Sequence, residues 1–246
     1  MLENYKDDQF DVILQGGQSN AEGCGMGQLR EFYTPTPNIL YMNNDLTISI
    51  ADERVWEDKK VNDFSLSFAK EYIKRKKLKE GRKILILRAA VGGTGWLDKR
   101  WGMNDDLYLK MMEMIKASLT LNPGNRLAAF LWHQGETDAI LGASRELHYN
   151  HLKELVESVR SVYNCPDLPF VAGDFVNEWK SANLAVCEPV ITAIKDVCKN
   201  IGRANFADTS DLESNSQATG NTDTIHFSRE ALYLLGLRYF EIFERL

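Results

Sequence analysis

A serine at the end of an apolar run is the first residue in this chain that could do chemistry. The stretch Phe10-Asp-Val-Ile-Leu-Gln-Gly-Gly-Gln-Ser19-Asn-Ala-Glu-Gly-Cys-Gly-Met-Gly27 passes from a buried-strand pattern straight into glycines. That is the pattern of a strand-to-helix turn at the carboxyl edge of a sheet, the edge where open α/β sheets bind ligands. A serine there is held rigidly, close to helix N–H groups that stabilise an anion. These are the requirements of a nucleophile in acyl transfer. Cys24 lies in the same loop but away from the strand's end, which makes it the weaker nucleophile candidate.

A serine nucleophile needs a base, and imidazole suits neutral pH. The chain has four histidines. His148 and His151 fall inside a helical stretch and read as packing or surface residues. His133 follows a strand and competes for the role. His226 has Asp223 three residues before it in a loop, a spacing that lets the carboxylate reach Nδ1, fix the tautomer and stabilise the imidazolium. Asp-x-x-His alone would equally describe an aspartate capping the last helix beside an unrelated histidine. Its coincidence with Ser19 and the glycine loops favours the pair Asp223–His226.

The developing oxyanion requires preset donors. The Ser19 backbone N–H is one. The Gly93 N–H, in the second glycine-rich loop Arg88-Ala-Ala-Val-Gly-Gly-Thr-Gly-Trp96, is another, since glycine lets a substrate approach closely. The Gln134 amide, at the end of a later strand in Trp132-His-Gln-Gly-Glu136, is the third. Gln18 and Asn20 flank the serine and are supporting or substrate-contacting candidates. Glu136 either orients His226 and the Ser19 loop or is a structural acid satisfied by backbone N–H groups. Trp96 and Trp132 either line a sugar pocket or belong to the core, the core being favoured for Trp132. His133, Glu136 and Asp138 do not match an established metal-ligand spacing, so no metal is expected.

These residues converge only if the intervening elements form one parallel sheet. Apolar runs at Phe10–Gln15, Lys83–Leu87, Arg126–Trp132, Leu168–Gly173 and Arg203–Ala207 read as five strands. Between them lie helical patterns at Phe64–Leu78, Asp105–Leu121, Ser144–Tyr163, Asn183–Asn200 and Ser228–Leu246. The basic run Lys74-Arg-Lys-Lys77 reads as cations at a helix C-terminus stopped by Gly81. Residues 31–63, broken by Pro35 and Pro37, read as a long irregular loop, the kind that often walls a pocket. The expectation is a three-layer α/β/α domain, spanning residues 1–246 as a single unit, with right-handed crossovers.

Composition sets further bounds. The 246 residues are 44% hydrophobic and 26% charged, enough for a sizeable core. A net charge of −6 argues against nucleic acid as partner. No apolar run is long enough to span a bilayer. The polar N-terminus lacks the apolar core of a signal peptide; the chain as written reads as cytoplasmic, and a secreted protein stripped of its leader would read the same. Cys24, Cys165, Cys187 and Cys198 contain no Cys-x-x-Cys pair and read as free, mostly buried thiols. The Gly-x-Ser-x-Gly elbow, a Walker A sequence and a complete dinucleotide fingerprint are all absent, so no nucleotide cofactor is expected.

Taken in order, Gly17-Gln-Ser-Asn20, Gly92-Gly-Thr-Gly95, Trp132-His-Gln-Gly-Glu136 and Asp223-x-x-His226 resemble the sequence blocks of the SGNH hydrolase superfamily. The resemblance is to its branch of sialate O-acetylesterase-like proteins and acetylxylan esterases, carbohydrate esterase family six. It implies a flavodoxin-like sheet and metal-independent removal of acetyl groups from sugar hydroxyls. It places the nucleophile at Ser19, the base at His226, its acid at Asp223, and the oxyanion donors at Ser19, Gly93 and Gln134. Gln18 and Gln134 stand where the wider superfamily has aspartate and asparagine, a departure that fits the carbohydrate branch. The expected activity is O-deacetylation of an acetylated carbohydrate such as xylan, an oligosaccharide or sialic acid. Acidification through the histidine range is expected to lower it. A short-chain lipase or thioesterase is the rival enzyme, and a silent sugar-binding protein is the rival from another class.

Overall fold

The computed structural model describes residues 2–56 and 58–246. Strand β1 (Gln9–Gly17) leads into a single helical turn, α1 (Ser19–Glu22). Four short strands follow: β2 (Ile39–Met42), β3 (Ile48–Ile50), β4 (Arg54–Trp56) and β5 (Lys59–Val61). Then come α2 (Phe64–Lys74), β6 (Arg82–Ala90), α3 (Asp106–Leu121), β7 (Arg126–His133), α4 (Glu136–Ile140) and α5 (Arg145–Val162). The chain ends with β8 (Phe170–Gly173), α6 (Asn177–Ala182), α7 (Leu184–Asn200), β9 (Ala204–Ala207), α8 (Asn215–Thr219) and α9 (Arg229–Arg245).

The main sheet has seven strands in the order β3-β2-β6-β1-β7-β8-β9. All its neighbouring pairs are parallel except the edge pair β2–β3. The five strands expected from sequence are β1, β6, β7, β8 and β9, and they stand in the flavodoxin-like order, with the first strand between the second and third. The sheet is wider than five strands because the stretch expected to be an irregular loop holds short strands. Ile39-Leu40-Tyr41-Met42 docks against β6 and brings β3 with it, while β4 and β5 form a separate two-stranded ribbon. The prolines that argue against a helix leave this four-residue strand untouched.

Both faces of the sheet are covered. Phe10, Val12 and Leu14 of β1 face a core that includes Met111, Leu152, Leu155 and Val190 from α3, α5 and α7. Ile13 faces the opposite core with Phe64, Phe68, Leu232 and Tyr239 from α2 and α9. Burial on both sides explains why the strands read as continuous apolar runs rather than alternating ones. α2 ends at Lys74, earlier than Gly81, because Lys76 turns the backbone left-handed (φ 58°). The helix expected from Ser144 is capped by it, the Ser144 hydroxyl accepting from the Leu147 N–H. The cysteines are all free thiols, and Cys24, Cys187 and Cys198 are buried. Among the described residues, no helix is long and apolar enough to cross a membrane.

The register aligns the carboxyl ends of the central strands. Gly17 pairs with Ala90 of β6 on one side and with His133 of β7 on the other. The loops after β1, β6 and β7 therefore begin at one level. Gly17 itself has φ 133°, and a Cβ there would lie 2.0 Å from the His133 carbonyl oxygen. Only glycine lets the chain leave the sheet here and deliver Ser19 to its edge.

Candidate active site

Ser19 is the first residue of α1, and the long loop between β9 and α9 brings His226 to it. The Ser19 hydroxyl lies 2.9 Å from His226 Nε2. On the other side of the ring, Nδ1 lies 3.0 and 2.9 Å from the two Asp223 carboxylate oxygens. The His226 N–H also donates to Asp223 Oδ1 (3.2 Å), so the three-residue turn holds the acid against the ring as the spacing suggested. Burial acts to raise the Asp223 pKa, but hydrogen bonds from His226 and Asn215 outweigh it and hold the carboxyl below its ordinary range.

Asn215 was not singled out by sequence. Its Nδ2 donates to Asp223 Oδ2 (2.9 Å) and to the Cys24 carbonyl (3.1 Å), and its Oδ1 accepts from the Met26 N–H (2.7 Å). It ties the acid to the loop that follows Ser19. Asn20 makes the matching tie on the other side. Its Nδ2 donates to Glu136 Oε1 (2.7 Å) and to the Ile225 carbonyl (3.2 Å), and its Oδ1 accepts from the Phe227 N–H (3.0 Å). Glu136 thus acts through Asn20, bracing the Ser19 turn against the His226 loop; burial pushes its carboxyl above the ordinary range. Asn20→Ala is expected to lower kcat by about 10- to 100-fold with little change in KM, because small misplacements of reacting groups cost rates of that order. Steady-state kinetics on one acetyl ester decides it; a loss confined to thermal stability would reduce Asn20 to a folding role.

Other candidates lie elsewhere. The Gln134 side chain is buried, and its amide nitrogen donates to Asp138 Oδ2 (2.7 Å) and the Thr94 carbonyl (3.3 Å). Its N–H groups are thus engaged within the protein, by the buried Asp138 carboxylate and the Thr94 carbonyl. Asp138 also accepts from the Trp96 and Leu97 N–H groups, both at 2.9 Å, so Gln134 and Asp138 together fasten the second glycine loop. Gln18 Oε1 accepts from the Gly135 and Thr137 N–H groups at 3.3 and 3.1 Å, serving the start of α4. Trp96 is buried, donates to the Trp101 carbonyl and packs on Trp132, so it is core and not pocket wall.

His133 is fully buried beside the Tyr239 hydroxyl (3.0 Å), and burial lowers its pKa to about 3. It is neutral at working pH and shut off from solvent, which removes it as a competitor to His226. His148 is buried against Trp96, a packing residue as expected. His133, Glu136 and Asp138 hydrogen-bond to different groups, Tyr239, Asn20 and the Trp96 loop, although His133 Nε2 stands 3.7 Å from Glu136. Burial raises the Cys24 thiol well above its usual pKa, leaving it a poor nucleophile.

Two of the backbone donors expected from sequence have no engagement within the protein. Among the described residues, neither the Ser19 nor the Gly93 N–H has a hydrogen-bond partner. Gly93 is exposed, with φ 70° and no atom within 4 Å of where a Cβ would stand. The neighbouring Gly92 N–H is engaged by Glu22 Oε2 (2.8 Å). A cavity of about 340 Å³ opens over Ser19 and His226, within the size range of small-molecule sites. Ser19, His226 and Gly92 line it from the sheet edge, and Arg54, Val55 and Trp56 of β4 line it from the other side. The stretch expected to wall the pocket does so through β4, whose Val55 and Trp56 are 69% and 50% exposed. Glu22 and Arg54 pair at 3.0 Å on that wall. Neither Glu22, one helical turn after the serine, nor Arg54 was singled out by sequence.

The model of the carbohydrate esterase, sialic acid-specific acetylesterase family matches residues 9–245. The chain belongs to this family. It is a carboxylic ester hydrolase of the carbohydrate-esterase kind. The chain is 32% identical over 88 residues to an Escherichia coli protein described as a probable 9-O-acetyl-N-acetylneuraminic acid deacetylase; the match spans 33% of this chain and 27% of that one. It is 24% identical over 200 residues to a probable carbohydrate esterase of Arabidopsis thaliana, across 71% of this chain and 75% of the relative. Among solved structures, NanS superposes with a TM-score of 0.78 at 20% identity, covering 97% of each chain. An Arabidopsis thaliana protein superposes at 0.72 with 21% identity, covering 97% of this chain and 98% of that one. These likenesses share the family's fold with the arrangement described above.

Proposed function

We propose that this carbohydrate esterase removes acetyl groups from sugar hydroxyls by a serine mechanism, with Ser19 as nucleophile, His226 as base and Asp223 as its acid. The observation that carries the reading is the unbroken hydrogen-bonded chain from Ser19 Oγ through His226 to Asp223, standing on the floor of a cavity. His226 Nε2 takes the Ser19 proton as Oγ attacks the acetyl carbonyl. The ester carbon becomes tetrahedral, and its oxyanion is received by the Ser19 and Gly93 N–H groups. His226 then gives the proton to the leaving sugar oxygen, and an acetyl-serine remains. Water, deprotonated by His226, attacks that ester, and acetate leaves as Ser19 recovers the proton. Asp223 stays ionised, keeps the tautomer with Nδ1–H and stabilises the imidazolium. Gln134 holds the glycine loop in place and is not itself a donor to the oxyanion.

Acetylated sugars as substrates are supported by the family and by the relatives' names. The test is acyl-chain preference. Acetate release from 4-nitrophenyl acetate and from acetylated sugars is compared with hydrolysis of the butyrate and octanoate esters. Acetyl esters are expected to be turned over fastest. Preference for octanoate would point to a lipase, and sugar binding with no turnover of any ester would point to a silent binding protein.

A further inference from the structure

Glu22 is the last residue of the turn that Ser19 begins, and the reaction described above gives it no part. Its half-buried side chain lines the cavity beside Ser19 and Gly92. One carboxylate oxygen, Oε2, accepts from the Gly92 N–H (2.8 Å). The other, Oε1, meets Arg54 Nη1 (3.0 Å). The same guanidinium donates through Nη2 to the Gly23 carbonyl, and Arg88 Nη2 donates to the Glu22 carbonyl (2.9 Å). A single side chain therefore joins the serine turn to β4, 32 residues on, and to the second glycine loop, 70 residues on.

The bond to Gly92 holds a spacing that the chemistry needs. The free N–H groups of Ser19 and Gly93 sit on different loops, and both serve one oxyanion only if those loops keep their separation. Pairing of β1 with β6 ends at Gly17 and Ala90, followed by a last bond from the Val91 N–H to the Gly17 carbonyl (3.1 Å). Beyond Val91 it is Glu22 that ties the loop back to the turn. The approach is close: a Cβ on Gly92 would stand 3.2 Å from Glu22 Oε2 and 3.5 Å from Ser19 Cβ. With the Gly92 N–H taken by Glu22, the next donor along the loop, that of Gly93, is the one left free. A bare carboxylate at this position would oppose a developing negative charge on the substrate. Arg54 offsets it.

We propose that Glu22 is a positioning residue for the oxyanion site. It latches the second glycine loop to the serine turn so that the Ser19 and Gly93 N–H groups act together, and Arg54 keeps its charge from opposing the oxyanion. This rests on the serine-esterase reading, which supplies the oxyanion.

The test is steady-state hydrolysis of 4-nitrophenyl acetate by four variants. Glu22→Ala is expected to lower kcat by about 10- to 100-fold with little change in KM, the scale on which a misplaced oxyanion donor acts. Glu22→Gln, whose amide oxygen still accepts from the Gly92 N–H, is expected to recover most of that loss. Arg54→Gln leaves the carboxylate unpaired and is expected to lower kcat as well. Adding Glu22→Gln to Arg54→Gln should then raise the rate, whereas a purely structural pair would lose more with each substitution. Methylboronic acid, which forms a tetrahedral adduct on a serine, should inhibit Glu22→Ala more weakly in proportion to the loss in kcat. A kcat in Glu22→Ala equal to or above that of the wild type would overturn the proposal, since the Gly92 N–H would then serve better unlatched. A double variant slower than Arg54→Gln alone would overturn it too. Activity that survives Ser19→Ala would sink the serine reading itself; activity that needs Ser19 but ignores Glu22 would sink only the latch.

Discussion

Ser19→Ala is expected to reduce acetate release by about 10⁴- to 10⁶-fold, the scale on which removal of a nucleophile from such a triad acts. The substitution removes one oxygen, bonded only to His226, from a half-exposed turn; the backbone bonds of the turn, such as that from the Gly23 N–H to the Ser19 carbonyl, remain. Asn20 keeps its ties to Glu136, Ile225 and Phe227, and Asn215 keeps its tie to Asp223. The variant should fold with unchanged thermal stability, which separates loss of chemistry from loss of structure. The Ser19 and Gly93 N–H groups remain, so a small residual rate over water is expected from oxyanion stabilisation alone. Mass spectrometry of the wild type quenched during turnover should find the acetyl group on the peptide containing Ser19. Substantial activity in folded Ser19→Ala would refute the mechanism.

His226→Ala is expected to cost a similar factor, and the double variant with Ser19→Ala to be no slower than either alone, because residues acting as one unit are not additive. A multiplicative loss in the double variant would mean that the two side chains work separately. The wild-type rate should fall as acid protonates the imidazole, since only the neutral ring accepts the Ser19 proton. Asp223 does not set that limb. Its folded pKa is depressed, so it remains a carboxylate below the pH at which an unfolded aspartate would protonate. The same shift has a consequence for stability: the contribution of Asp223 is present above its unfolded pKa and is lost as pH falls through its folded value. His226→Ala removes a hydrogen bond and a charge that lower that pKa. Thermal denaturation followed against pH should therefore show the variant losing stability at a higher pH than the wild type.

Sequence reading reached the parts of this site that are local. Apolar runs ending in glycine mark the strands and the edge at which they stop, because burial on both faces and a tight exit leave their signature within a few residues. Asp223 and His226 are three residues apart, and a turn suffices to join them. The five core strands, their alternation with helices and the convergence of the Ser19, Gly93 and His226 loops on one edge follow from that same short-range information. The strand Ile39–Met42 was obscured because prolines in the flanking loop are louder than four apolar residues.

Tertiary structure decided what depends on a competing partner or a distant segment. Gln134 turned inward because a buried carboxylate, Asp138, lies within its reach. Glu22 holds Gly92 and meets Arg54 across 32 residues, and Asn215, at the start of α8, holds Asp223. His133, equal to His226 as a residue type at a strand's end, is excluded by complete burial. Residue types and spacing therefore determined which groups could react and at which edge, since those are properties of short segments. Which donors remain free, and what else the pocket can grip, is set by competition among side chains brought together from far along the chain.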